Sequence, residues 1–235
     1  MLQGVSSLAH HETDLPYTML DEINCAMYDD IRPLDWVNPE IPNPQTNGES
    51  VYDMVCIGGG AAGMVTAAGT VYMGGKALMV ERNFMGGDCL VTGCVPSKAF
   101  IKSASIAHKI KRGAEFGLEI KGEVKVNFPK VMERMRKIRA EIAHHDSAEN
   151  FSKQYGMDIM LGEAKFIDRN TITVDGGQPI KFLKACICTG GRPRVPDIPG
   201  MSDIPHYTSE NVFNMTTQPK KLLVVGGGPI GTELG

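Results

Sequence analysis

The stretch from Val51 to Glu81 constrains the fold more than any other part of the chain. Val51-Tyr52-Asp53-Met54-Val55-Cys56-Ile57 is a short apolar run ending in glycines, the pattern of a buried strand. Gly58-Gly59-Gly60-Ala61-Ala62-Gly63 follows, then a small-residue stretch through Ala68 that suits a helix lying close to a sheet. A second apolar run, Lys76 to Val80, ends at Glu81, 18 residues after the last glycine of the turn. Each residue type in this strand, glycine turn, helix and strand has a physical reason. Gly58 permits the tight turn, Gly60 lets the backbone approach a pyrophosphate, and Gly63 lets helix and strand pack closely. The helix start at Ala61 and Ala62 offers free N–H groups and a positive dipole end to phosphates. Glu81 is placed to accept hydrogen bonds from ribose hydroxyls. The unit predicts a dinucleotide site.

A second constellation follows at Gly86-Gly87-Asp88-Cys89-Leu90-Val91-Thr92-Gly93-Cys94-Val95-Pro96-Ser97-Lys98. Two cysteines five positions apart stand at the head of a helix predicted to run from Cys89 to about Arg112. That spacing spans little more than one helical turn, and the glycines and Pro96 loosen the backbone enough for a disulfide. A thiolate near a helix N-terminus and a lysine is stabilised, so the pair is expected to be reactive. A structural zinc site would need two further ligands, and none has matching spacing. His144-His145 lie far along the chain, on the polar side of a helix.

Composition narrows the function classes. The chain has 235 residues and a formal charge of −3, without a basic stripe, which argues against nucleic acid as a partner. No apolar run approaches the length of a membrane span. Six unevenly spaced cysteines do not make a disulfide scaffold and fit a reducing compartment such as the cytoplasm. Residues 1–50 hold nine acids, one base (Arg32) and five prolines, and read as a largely disordered acidic extension.

Beyond the cysteine pair, Phe128 to Tyr155 has helical periodicity, with Val131, Met135, Ile138 and Ile142 as the packed face. Short strands are predicted at Met157–Leu161, Glu163–Asp168, Thr171–Val174 and Phe182–Ile187. Cys56, Cys186 and Cys188 read as core residues. Lys221 to Val225 is a further predicted strand. It runs into Gly226-Gly227-Gly228-Pro229-Ile230-Gly231-Thr232-Glu233, a second dinucleotide fingerprint.

From Val51 to the last residue, four motifs in order resemble the class I pyridine nucleotide-disulfide oxidoreductases, a family of FAD-dependent enzymes. The Gly-Gly-Asp-Cys form and the later Gly-Gly-Gly-Pro-Ile-Gly are most similar to mercuric-reductase-like and dihydrolipoyl-dehydrogenase-like members. The resemblance implies an α/β fold: a Rossmann-like FAD-binding domain over residues 51–218, with a small antiparallel β-meander. Residues 219–235 would open a second, NAD(P)-binding domain, truncated here, so the chain is expected to be an N-terminal fragment that does not complete a catalytic cycle. FAD would contact Gly58, Gly60, Ala61, Ala62, Gly63, Glu81, Gly87, Asp88, Cys89, Lys98, Ala164, Thr189 and Gly190, and NAD(P)H would meet Gly226, Gly228, Gly231 and Glu233. The resemblance makes Cys89 and Cys94 a redox disulfide, with Cys94 against the flavin and Cys89 attacking the substrate. Lys98 would sit near the flavin, paired with Glu233. The implied reaction passes electrons from NAD(P)H through FAD to this disulfide. They then reach a small-molecule disulfide, dithiol or metal-thiolate substrate, as in mercuric reductase, dihydrolipoyl dehydrogenase or glutathione reductase. No metal is implied as a resident cofactor, and the complete protein is expected to be a homodimer. Three positions depart from the common pattern. Asp88 stands where many members have Thr, Val91 where Asn is frequent, and Pro229 where several members have Tyr. A carboxylate at residue 88 would repel a cofactor phosphate unless turned away.

Overall fold

The computed structural model describes residues 21–33, 35–41 and 51–235. Its centre is a six-stranded sheet in the order β3-β2-β1-β6-β5-β4. The strands are β1 (Val51–Ile57), β2 (Ala77–Glu81), β3 (Asp158–Leu161), β4 (Ala164–Asp168), β5 (Thr171–Val174) and β6 (Ile180–Ile187). The β3-β2-β1-β6 half is parallel, and β6-β5-β4 is an antiparallel meander. The helices are α1 (Glu22–Ile31), α2 (Ala61–Tyr72), α3 (Gly87–Val91), α4 (Cys94–Lys111), α5 (Phe128–Asp146), α6 (Ala148–Tyr155) and α7 (Pro229–Leu234). This is the expected mixed α/β architecture.

Every residue of β2 is buried, as a parallel strand covered on both faces must be. Its side chains alternate between two core layers. Ala77 and Met79 join a cluster with Met27, Ile31, Met64 and Met85, while Leu78 and Val80 meet Ile172, Ile180 and Phe182. A third cluster, Ala99, Phe128, Met132, Met135 and Phe213, fixes α5 against α4.

Four expectations are corrected. The acidic segment is not mobile throughout: Glu22–Ile31 is a helix, capped by the Asp21 carboxylate accepting the Asn24 N–H at 2.8 Å. Met27, Tyr28 and Ile31 are its buried face, and the Ile31 carbonyl accepts the Met85 N–H at 3.1 Å. Residues 1–20, 34 and 42–50 of the predicted extension lie outside the described residues. The helix expected from Cys89 is two helices, broken at Thr92-Gly93, where Gly93 adopts backbone angles that no helix uses. The helical run to Tyr155 is likewise two, because Ser147 ends α5 and caps α6 through its side chain. Lys221 to Val225 is not a strand. No strand among the described residues pairs with it, and Leu223 and Val225 are exposed.

The packed stripe of α5 is also rotated from the expected one. Phe128, Met132, Met135, Arg136, Arg139 and Ala143 are buried, whereas Val131 and Ile138 are only half-buried. Two arginines tolerate burial because α1 supplies their partners. Arg136 pairs with Asp21 at 2.7 Å, and Arg139 donates to the Asn24 side-chain oxygen at 2.5 Å and to the Val91 carbonyl at 2.7 Å.

Candidate active site

The ends of β1, β2, β4 and β6 converge on a cavity of about 600 Å3. Gly58, Gly60, Glu81, Gly87, Asp88, Ala164, Thr189 and Gly190 line it, eight of the positions expected to hold a dinucleotide. The glycine turn is built as those residues require. Gly58 has φ +115°, a region L side chains rarely adopt, and a Cβ there would stand 2.2 Å from the Cys188 carbonyl oxygen. A Cβ on Gly63 would stand 1.8 Å from the Gly58 carbonyl oxygen. Helix α2 and the turn therefore touch backbone to backbone. Gly63 serves this contact and does not line the cavity. Ala61 and Ala62 form the first turn of α2, where backbone N–H groups have no partner within the helix.

Glu81 has a further task beyond the one expected of it. Its two carboxylate oxygens accept the Gly59 N–H at 2.5 Å and the Asn83 N–H at 2.6 Å. The acid thus ties the glycine turn to the end of β2 while still facing the cavity. Asp88 also faces inward, with Oδ2 3.5 Å from the position a Cβ would take on Gly190. It is not turned away from the site.

Cys89 lies within α3, whose Gly87, Asp88 and Val91 line the cavity, and Cys94 is the first residue of α4. Both are free thiols, on either side of the Thr92-Gly93 break and near enough for each to feel the other's charge. The expected low thiol pKa is not found at Cys89. Burial, then the neighbouring Cys94 thiol, pushes it up to about 11. Cys94 is exposed. Lys98, one turn along α4 from Cys94, pairs with Glu233 of α7 at 2.5 Å, which holds that carboxyl below its usual range.

The second glycine turn repeats the first in its backbone. Gly226 has φ +115°, and a Cβ on Gly231 would stand 2.2 Å from the Gly226 carbonyl oxygen. Gly228 caps α7 with φ −74° and ψ 179°, against −80° and −176° for Gly60 at the head of α2. The structure thus brings Gly226, Gly228 and Gly231 together in one turn. Glu233 leaves that turn for Lys98.

Some cavity residues had no signal in the sequence. Arg192 and Glu210 form an ion pair at 3.1 Å on the rim, 18 positions apart. A recess of about 550 Å3 continues from the cavity past Arg82 and Glu163 to Arg32 and Trp36 of the acidic segment. Asn38 binds the edge of β3 there, accepting the Leu161 N–H at 2.7 Å and donating to its carbonyl at 3.0 Å. Asp146, at the end of α5, contributes to raising the Cys89 thiol, and burial raises its own carboxyl. Among the described residues, no helix is long and apolar enough to cross a membrane.

Residues 52–235 match the family model for pyridine nucleotide-disulphide oxidoreductase. The chain is 32% identical to a mercuric reductase of Bacillus cereus, over 80% of this chain and 29% of that protein. It is 32% identical to a dihydrolipoyl dehydrogenase of Acholeplasma laidlawii, over 77% of this chain and 54% of that one. The HOCl-induced flavoprotein disulfide reductase RclA of Escherichia coli is similar in structure, with a TM-score of 0.59 at 27% identity, over 78% of this chain and 38% of its own. The chain therefore spans between about a third and a half of the length of such relatives. With the glycine turns and the cysteine pair in place, the chain belongs to the pyridine nucleotide-disulfide oxidoreductase family.

Proposed function

We propose that this chain carries the flavin site and the redox dithiol of an NAD(P)H-dependent disulfide oxidoreductase. The observation that carries this reading is the placement of the free thiols of Cys89 and Cys94 on either side of the Thr92-Gly93 break, with Cys89 in the helix that lines the glycine-walled cavity. FAD fits the residues present. The cavity has room for a dinucleotide, Gly58 sits where any Cβ would strike backbone, and the start of α2 points N–H groups at a phosphate. The second glycine turn offers the equivalent seat to NAD(P)H. When bound, FAD and the nicotinamide supply the two-electron transfer that protein side chains lack.

The remaining steps belong to the chain's own residues. Cys89, as thiolate, attacks one sulfur of a substrate disulfide, breaking that bond and releasing one thiolate. Cys94 then attacks the Cys89 sulfur, the second substrate thiol leaves, and the pair is left as a disulfide. Two electrons from the NAD(P)H side, with two protons, return it to the dithiol. Lys98 and Glu233 tie the helix that starts at Cys94 to the second glycine turn, which couples the two seats. The substrate is a small-molecule disulfide or a metal-thiolate complex of the mercuric-reductase kind, and the complete protein is a homodimer of a reducing compartment.

Trapping tests the cysteine roles. With a small-molecule disulfide, the Cys94→Ser variant should accumulate a stable mixed disulfide on Cys89, because the resolving thiol is gone. Wild type should resolve the adduct to the internal disulfide. A Cys94→Ser chain that forms no adduct while Cys89→Ser forms one on Cys94 would reverse the roles. No adduct and no internal disulfide in any of the three would defeat the reading.

A further inference from the structure

We infer that Cys186 and Cys188 form a second oxidisable dithiol, closing to a disulfide beneath the first glycine turn. The two sulfur atoms stand 3.3 Å apart. Residues two apart on a strand project to the same side of the sheet, and the ladder of β6 extends to Cys188, whose N–H donates to the Ile57 carbonyl at 2.8 Å. A disulfide needs the sulfurs to approach to about 2.05 Å, little more than 1 Å closer than they stand, and the backbone at residue 187, at the end of β6, to bend so that the two Cβ atoms draw together. Two packed core cysteines would be expected to be sealed, and these are not. Both are half-buried, and Cys188 lines the cavity proposed above for FAD, so a small reagent reaches it when the flavin is absent.

The neighbouring thiol does not replace this pairing. Cys56 sits opposite Cys186 in the parallel ladder and is fully buried. Nor does the trio make a metal centre: among the described residues no group of three or more His, Cys, Asp or Glu side chains could hold a metal ion. The reactant is a low-molecular-weight disulfide. The thiolate of Cys188 attacks one of its sulfurs and breaks that bond, releasing one small thiol. Cys186 then displaces the second, giving the Cys186–Cys188 disulfide and two small thiols. Two electrons and two protons pass from the cysteines to the reagent. Burial holds the Cys188 thiol up at about 11, so closure is slow at neutral pH.

Peptide mapping tests this on the full chain. Folded protein without bound flavin is treated with glutathione disulfide at mildly alkaline pH, alkylated, denatured and digested with trypsin, and a flavin-loaded sample, in which the cavity is filled, should be protected. Residues 185–194 form one tryptic peptide holding both cysteines, and residues 83–98 form another holding Cys89 and Cys94. The proposal expects the 185–194 peptide to lose two hydrogens and to carry no alkyl group. In the Cys186→Ser variant it expects a lasting glutathione adduct on Cys188. Two alkyl groups on the 185–194 peptide of the flavin-free sample after oxidation would overturn it, as would a cross-link to the peptide bearing Cys56. Because the 83–98 peptide is read separately, failure of one pair is distinguishable from failure of the other.

Discussion

Two glycines of one helix should respond to alanine with opposite signs. Gly63 and Gly69 both lie within α2, and in an isolated helix each Gly→Ala change stabilises by about 1 kcal/mol. At Gly69 a Cβ meets nothing within 4 Å, so that gain stands. At Gly63 the Cβ falls 1.8 Å from the Gly58 carbonyl oxygen, where real Cβ contacts begin near 3.0 Å. Helix and turn would have to part by roughly 1.2 Å, and the obstacle is backbone, which cannot rotate aside. Overpacking of this kind costs about 3 kcal/mol at the upper end of its usual range. Subtracting the propensity gain leaves Gly63→Ala about 2 kcal/mol less stable. For a chain of this size 1 kcal/mol moves Tm by about 2–4 °C. Gly63→Ala should therefore melt about 4–8 °C below wild type by far-UV circular dichroism, and Gly69→Ala about 2–4 °C above it by the same scale. A Gly63→Ala chain as stable as wild type would refute the backbone contact, and with it the account of why the turn is glycine-rich.

Three other outcomes follow from the same geometry. Asp88→Asn removes a carboxylate facing a phosphate cradle, a like-charge repulsion worth about 1 kcal/mol across solvated distances; FAD titrated by fluorescence quenching should bind roughly five times tighter, and unchanged affinity would place the phosphates elsewhere. Asn24→Ala takes from buried Arg139 one of its hydrogen-bond acceptors, a charged bond worth about 2 kcal/mol, and should lower the urea midpoint without changing the slope. Cys89 and Cys56 have folded pKa values raised by burial to about 11 and about 12, above the ordinary 9.0. The unfolded chain gives up these protons first, so stability is intact below pH 9 and falls as pH rises toward 11 and 12. Cys56→Ala should flatten that decline in denaturant midpoints measured across the alkaline range.

Local geometry with only one residue solution was readable in the sequence. A positive φ at Gly58 and Gly226, and helix starts that touch their own turns at Gly63 and Gly231, admit glycine and little else. The spacing of Cys89 and Cys94 is local in the same sense. The Lys98–Glu233 pair is 135 positions apart, and only the family resemblance suggested it. What the sequence hid depended on distant partners. Arg136 and Arg139 read as the wet face of α5 because arginine is seldom buried unless paired, and the pairing groups lie in a segment whose acids and prolines argue for disorder. Among the described residues of that segment the buried apolar set is Met27, Tyr28 and Ile31, too short to register against its surroundings. Lys221 to Val225 has strand composition, but a strand is made by its neighbour.

Arg139 gives the acidic segment a connection to the chemistry. One arm of its guanidinium holds Asn24 of α1, and the other donates to the carbonyl of Val91, the last residue of α3. That carbonyl is one of the helix-end acceptors left without an intrahelical donor, and it directly precedes the break that lets Cys89 and Cys94 meet. Helix α1 therefore does more than cover the core: by placing Asn24 it fixes the arginine that satisfies the end of α3. Loss of the Asn24 amide should loosen the geometry of the two thiols as well as the fold, and the rate at which the Cys89–Cys94 pair closes should fall alongside the urea midpoint.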